Sequence, residues 1–215
     1  MKNSNKKTLF ILGGHGVGLI AANIALETNK YDQIFFLNDY VPKNSYLGKY
    51  KNKFKVIGKT DLIKKLIINK NNFFFNAIID YKNKNSDRNS LFYKFPKKKF
   101  ISLIHPSSFF FKGSVKLKNN ILISPSVNIS TDVSLGNNTF IMMNAFIGHN
   151  SSIGDGTFIA ANATVGGSVK IGKNCFVGLN STIVENIKMG DKSFLGAHSI
   201  LRNHLKKNTY FKIKL

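Results

Sequence analysis

From Val115 to His204 the apolar positions recur every sixth residue without a break, in fifteen blocks that run from VKLKNN and ILISPS to SFLGAH and SILRNH. The third place of each block is Leu, Ile, Val or Met, from Leu117 to Leu201. The first place is small or β-branched, apart from Cys175. This period is not that of an α-helix, whose apolar face returns after three and four residues, and it is too regular for separate hairpins. It predicts a parallel β-helix in which each hexapeptide makes one short strand and a turn. The third-place aliphatic points inward and the small first-place residue fits beside it. Glycine takes the fourth place in eight blocks, where it is expected to supply backbone angles that a side chain resists. With three blocks to a coil, fifteen blocks make five coils, and residues 18 apart stack at the interstrand spacing of about 4.8 Å.

The stacking rule places outward residues in columns. One face carries Leu122, Phe140, Phe158, Phe176 and Phe194. The other two carry mainly lysine and serine, or a mixture of Asn, Phe, Thr and Ile. An exposed aromatic ladder is an aggregation liability, so this column is expected to meet another subunit or the N-terminal half.

The first hundred residues alternate differently. KTLFILGG reads as a strand, HGVG as a tight turn and LIAANIALET as a helix. YDQIFFLNDY reads as a second strand, DLIKKLIINK as a helix, FFFNAIID as a third strand, and Asp87 to Tyr93 as a further helical stretch. The pattern predicts a small Rossmann-like α/β domain over residues 1–104, followed by the β-helix over residues 105–215. Ligand binding is expected at the carboxyl ends of the strands, around Gly13 to Gly18 and Asn38 to Tyr40. The glycine turn can present backbone N–H groups to a phosphate, although its spacing is not GxGxxG. Asp39 stands about 20 residues further on, where a ribose-binding acid would sit.

Charge adds one constraint. The net charge is +22, yet all but Arg88 and Arg202 of the 32 cations are lysine. Base and phosphate readout favours arginine, and the aromatics form a column instead of interleaving with cations, so a nucleic-acid partner is not expected. Nucleotide sugars or coenzyme A would still gain from the field. A single cysteine, Cys175, excludes an internal disulfide and fits a reducing, cytoplasmic setting. The N-terminal apolar run is cut by glycines and a histidine, unlike a signal peptide. No apolar run reaches spanning length, so no membrane insertion is expected.

His149, in the block AFIGHN, takes the fifth place at a coil corner, where a side chain points outward. Its column reads Gly113, Thr131, His149, Gly167, Glu185 and Asn203, and Gly167 leaves a notch beside it. As a lone residue it is either a surface polar side chain or a base.

The N-terminal LFILGGHG, the junction LIHPSS and the hexapeptides IGHNSSIGD and GGSVKIGKNCFVGLNSTIV together resemble the sugar O- and N-acyltransferase family. That family includes sialic-acid O-acetyltransferases and N-acetyltransferases of nucleotide-linked 4-amino sugars, the bacillosamine-pathway type being the most similar. The resemblance covers nearly the whole chain. It implies a left-handed β-helix, an exception to the usual right-handed crossover. It also implies a homotrimer, acetyl-CoA in the groove between neighbouring helices, and His149 as general base in direct transfer without a metal. Acetyl-CoA contacts would fall at Phe158, Gly167, Leu179 and Ala197. Nucleotide-sugar contacts would fall at Gly13, Gly14, His15, Gly16 and Val17, and at Asn38, Asp39 and Tyr40.

Three positions depart from that pattern. Relatives place an acid after the histidine, where this chain has Asn150; Asp132, one coil before Asn150, is a candidate to restore the carboxylate. The family's glycine-turn histidine aligns with Val17, or with His15 after a shift. The chain ends NTYFKIKL in place of a Gly-x-Pro-Ala-Lys segment. The expected activity is N-acetylation of a nucleotide-linked amino sugar; the alternatives are sugar O-acetylation or a non-catalytic β-helix that binds ligand or serves as a scaffold.

Overall fold

A computed structural model describes residues 6–14, 16–79 and 90–212. The chain divides into two compact units, the second starting at Ile104.

In the first unit β1 (Thr8–Leu12) is buried along its whole length, as a central strand covered on both faces must be. It leads through the glycine turn into α1 (Val17–Thr28) and then β2 (Gln33–Leu37). A short β3 (Tyr46–Leu47), β4 (Phe54–Gly58), a single helical turn α2 (Ile63–Leu66) and β5 (Asn72–Asn76) follow. The sheet order is β3-β4-β2-β1-β5, parallel except for β3. Phe10, Leu12, Leu37, Ile63, Phe74, Phe92 and Phe100 make its core.

Three elements differ from the sequence pattern, one of them the short antiparallel β3, which it did not show. DLIKKLIINK was expected to be a helix; it forms a 3-10 turn over Thr60–Leu62 and then only α2. The chain must re-enter the sheet at Asn72, and the Asn72 side-chain amide donates to the Leu66 carbonyl at 2.9 Å, closing the turn. Strand β4 was not anticipated. Its signal is a short alternation of buried Phe54 and Val56 with more exposed Lys55 and Ile57 inside a lysine-rich stretch. Of the helical stretch expected from Asp87 to Tyr93, Ser90–Tyr93 is helical and the rest lies outside the described residues.

The second unit is a parallel β-solenoid of two-residue strands in three sheets, of seven, six and five strands. It begins earlier than the hexapeptide blocks, at Leu103–Ile104, and ends with Tyr210–Phe211. The 18-residue register holds throughout the blocks, as in Phe140 opposite Phe158 and Thr164 opposite Thr182. An extra residue in the first coil is absorbed near Gly113, whose φ is 90°. First- and third-place side chains form one continuous buried core from Ile121 to Leu201.

The structure corrects the reading of the fourth-place glycines. None has a positive φ; that conformation falls on the sixth place instead, from Asn120 (57°) to His198 (56°), through Asp132, Asn150 and Asn186. Asparagine tolerates the left-handed region better than other residues with a Cβ, which explains its abundance there. The fourth-place glycines answer to crowding. A Cβ on Gly154 would lie 2.5 Å from the Gly172 carbonyl carbon and oxygen, and one on Gly148 would lie 2.5 Å from the Gly166 carbonyl carbon.

The aromatic column is not a bare ladder. Leu122, Phe140 and Phe158 are buried within the single chain, Phe176 and Phe194 are half-buried, and Tyr210 is exposed. Its upper rings stack nearly parallel, with centroids 5.3, 4.7 and 4.3 Å apart from Phe158 to Tyr210.

These two glycine and asparagine roles predict opposite tolerances. In urea denaturation Gly154→Ala should cost about 1–3 kcal/mol through overpacking against the next coil. Asn162→Gly should change stability by less than about 1 kcal/mol, because glycine adopts the same φ freely.

Candidate active site

His149 follows the strand Phe146–Ile147 at a corner of the solenoid, and its side chain is exposed. The corner is held from above by the Ser168 N–H, which donates to the His149 carbonyl at 2.7 Å. The imidazole lies across Gly167: a Cβ there would stand 2.7 Å from both Cε1 and Nε2. The notch expected from the sequence is therefore the seat of the ring, and Gly167 is glycine for space, since its φ is not positive. Among the described residues the imidazole nitrogens have no hydrogen-bond partner. The Gly167 N–H likewise makes no bond within the described chain.

Asn150 sits beside His149 at φ 57°, one of the recurring sixth-place corners. Its identity follows from the backbone that every coil repeats. Asp132 occupies the same corner one coil below. Its Oδ1 accepts from Ser114 Oγ at 3.2 Å and its Oδ2 from Thr131 Oγ1 at 3.3 Å, while its own N–H donates to Ser114 Oγ at 2.8 Å. Among the described residues no hydrogen bond joins Asp132 to His149.

The four residues assigned to acetyl-CoA do not converge in one chain. Gly167 shares the corner of His149. Leu179 and Ala197 stack one coil apart on the preceding corner, where the His198 N–H donates to the Leu179 carbonyl at 2.8 Å. Phe158 is buried in the aromatic column. Cys175 is buried in the core, with Sγ 3.1 Å from the Gly190 carbonyl, in a packing role.

A cavity of about 450 Å³ opens on the lysine-bearing face, its charged and titratable lining made by Lys170, Lys188, Asp191, His204, Lys206 and Lys207. Lys170 and Lys188 are direct register partners. Like charges so placed repel, which leaves this face favourable to an anion. The 18-residue lysine spacing was legible in the sequence; the concavity, made by the shortened last coil around Leu205, was not.

In the first unit the glycine turn lies at the carboxyl end of β1, between β2 and β5, where the direction of strand succession reverses. Gly13 has φ 111°, and a Cβ on it would come within 3.3 Å of the Ala77 and Ile78 backbone. Gly16 caps α1 at φ 66° without a side-chain cap or an acid in the first turn, and Val17 opens the helix. The amides there remain available to an anion. His15 lies outside the described residues.

Asn38 is a pin for this turn. Its Nδ2 donates to the Gly13 carbonyl at 2.7 Å and its Oδ1 accepts from the Tyr40 and Val41 N–H groups at 2.8 and 2.9 Å. Its amide crowds the position that a Cβ on Gly14 would take. Asp39 is engaged by Thr60, whose N–H and Oγ1 both donate to it at 2.9 to 3.0 Å. Thr60 carries no motif in the sequence, and only the turn after β4 brings it to Asp39. Tyr40 is 96% exposed.

Residues 132–167 match the family model for the bacterial transferase hexapeptide, six repeats. Residues 168–201 match the hexapeptide repeat of succinyl-transferase. Both models describe hexapeptide repeats, and together they span residues 132–201 of the solenoid. No curated protein sequence matches the chain significantly. Among solved structures the hexapeptide chain is similar to a single-residue variant of perosamine N-acetyltransferase from Caulobacter crescentus in complex with CoA and GDP-perosamine. That match has TM-score 0.82 and 18% identity, over 94% of this chain and 92% of the other. It is also similar to the acetyltransferase domain of PglB from Neisseria gonorrhoeae in complex with acetyl coenzyme A, with TM-score 0.83 and 19% identity over 96% of both chains. WeeI from Acinetobacter baumannii aligns with TM-score 0.76 and 15% identity over 94% of this chain and 95% of that one. At these identities the likeness establishes the shared fold of both units. No helix among the described residues is long and apolar enough to cross a membrane.

The seat of the imidazole is testable without any ligand. Gly167→Ala should move the His149 ring and shift its imidazole C–H resonances, with a stability loss under about 1 kcal/mol because the displaced group is an exposed side chain. Unmoved resonances would show that the ring does not rest on Gly167.

Proposed function

We propose that the protein transfers an acetyl group from acetyl-CoA to the amino group of a nucleotide-linked amino sugar, with His149 as general base. The observation that carries this reading is the seat of His149, an exposed imidazole held against Gly167 on a hexapeptide-repeat solenoid. The shared two-unit fold supports it, because one such structure is described with CoA and GDP-perosamine and another with acetyl coenzyme A.

The acceptor nitrogen attacks the thioester carbonyl and must lose a proton as the new C–N bond forms. An imidazole accepts that proton at neutral pH and passes it to the departing thiolate as the C–S bond breaks. In this reading the Gly167 N–H, beside the ring and without an internal partner among the described residues, would meet the developing oxyanion. No metal and no cysteine nucleophile enters these steps. In the first unit the Gly14, Gly16 and Val17 amides of the turn would face the nucleotide phosphates, while the Gly13 N–H donates to the Leu37 carbonyl at 3.0 Å. With Asn38 and Asp39 committed to the turn and to Thr60, Tyr40 is the side chain of that loop left to meet a ligand.

Assembly follows from the separation of the coenzyme residues. If the lysine face of one copy packs on the aromatic face of the next, the His149 corner of the first meets the Leu179 and Ala197 corner of the second. Three such contacts close a ring. Stacked lysines facing stacked aromatic rings are attracted through cation–π contacts. The acetyl-CoA groove of this homotrimer lies between copies, with Lys170 and Lys188 near its phosphates.

The activity test incubates the protein with acetyl-CoA and a panel of UDP- and GDP-linked amino sugars and follows thiol release. His149→Ala should lower kcat by about 10²–10⁴-fold. No turnover above that variant with any amine or hydroxyl acceptor would sink the enzyme reading. Turnover with hydroxyl acceptors alone would replace N- by O-acetylation. For assembly, sizing with light scattering should give a trimer that Phe194→Glu dissociates; a variant that stays trimeric would place the interface on another face.

A further inference from the structure

We infer that Glu185, two coils above His149 and across the gap left by Gly167, is the carboxylate that orients the imidazole. The inference rests on the reading of His149 as the base. Consecutive coils are in strict register here, with Phe146 opposite Thr164 and Thr164 opposite Thr182. The corners follow, since the Ser168 N–H donates to the His149 carbonyl at 2.7 Å and the Asn186 N–H to the Gly167 carbonyl at 2.9 Å. His149, Gly167 and Glu185 thus form one column of fifth-place residues.

The column has a direction. A Cβ on Gly167 would point at the His149 ring, 2.7 Å from two of its atoms. The fifth-place carboxylates Asp155 and Asp191 reach the N–H of the fifth-place residue one coil below, and by that repeat Glu185 faces the space above Gly167, where no side chain stands. The imidazole closes that space from below. The two Cα positions are about 9.6 Å apart, two interstrand spacings, which a glutamate and a histidine leaning toward each other can span.

The other solenoid acids among the described residues have different partners. Asp155 accepts from the Asn137 N–H at 2.9 Å and from its Nδ2 at 3.1 Å, and Asp191 accepts from the Lys173 N–H at 2.8 Å. Asp132 is held by Ser114 and Thr131. Glu185 is exposed and makes no hydrogen bond or ion pair among the described residues. The charged groups around the corner are Asp132 one coil below, Lys170 on the strand after Ser168, Glu185, and Arg202 one coil beyond it. Of the two acids, only Glu185 is both unengaged and on the side to which the ring leans. Its carboxylate would hold a proton on the ring nitrogen that faces it and leave the other nitrogen to act as base.

The test is nitrogen NMR of histidine-labelled protein held at alkaline pH, with the His149 signals assigned by their loss in His149→Ala. A carboxylate that holds a proton on one ring nitrogen selects one tautomer, so Glu185→Gln should move the two His149 ring-nitrogen resonances toward each other. With an acceptor in hand, Glu185→Gln should lower kcat about tenfold with little change in KM, and Glu185→Asp should restore part of it. Ring-nitrogen resonances unchanged in Glu185→Gln, or moved only in Asp132→Asn, overturn the assignment. If His149→Ala is inactive while the ring-nitrogen spectrum of Glu185→Gln matches the parent, Glu185 alone is misassigned. If His149→Ala keeps full activity, the general-base reading fails whatever Glu185 does.

Discussion

The coil-to-coil backbone ladder is the constraint on which the second unit depends. Each two-residue strand donates to the coil above it, as in Gly148 to Val165 at 2.7 Å and Gly166 to Ile183 at 2.9 Å. Strands this short leave few ladder bonds each, so the corners must repeat as faithfully as the strands. That is achieved by a left-handed residue at nearly every sixth place and by glycine where neighbouring coils come closest. The buried aliphatic core then runs as one column through all coils, and a side chain at any corner inherits a fixed height and direction.

The candidate site uses this regularity by breaking it in one place. Every corner could carry a side chain at its fifth position, and at Gly167 it carries none. The absence makes room for the imidazole of His149 and opens the line toward Glu185. A histidine on an ordinary corner would be one more exposed polar residue. The same frame accounts for Asn150, whose left-handed φ belongs to the repeat and carries no implication about acid chemistry. The first unit follows a different logic. Its candidate binding region is built from strand ends, and the side chains there mostly hold the loops in place, Asn38 through three hydrogen bonds and Asp39 through Thr60.

Much of the solenoid was legible because its pattern is local and repeated. A period of six, with an aliphatic at every third place, specifies strands, inward residues and vertical neighbours before any coordinate is known. Strand β4 and the short α2 were harder to read. Each rests on a few residues whose state is decided by the sheet they join, as Leu66 and Asn72 show. The role of the fourth-place glycines was misread for a related reason. Glycine serves both unusual φ and close approach, and sequence alone does not separate the two.

By itself the sequence determined the two-unit order, the β-helix, its columns, and the placing of His149 beside Gly167, because 18-residue stacking turns spacing into adjacency. Only the tertiary structure decided that the ring rests in the Gly167 notch, that Asp39 is spent on Thr60, that Asp132 is held by Ser114 and Thr131, and that Phe158 is buried. Those outcomes depend on side-chain direction and on loops meeting across the fold. A repeat fixes where a residue stands in its column; packing fixes which neighbour it turns toward.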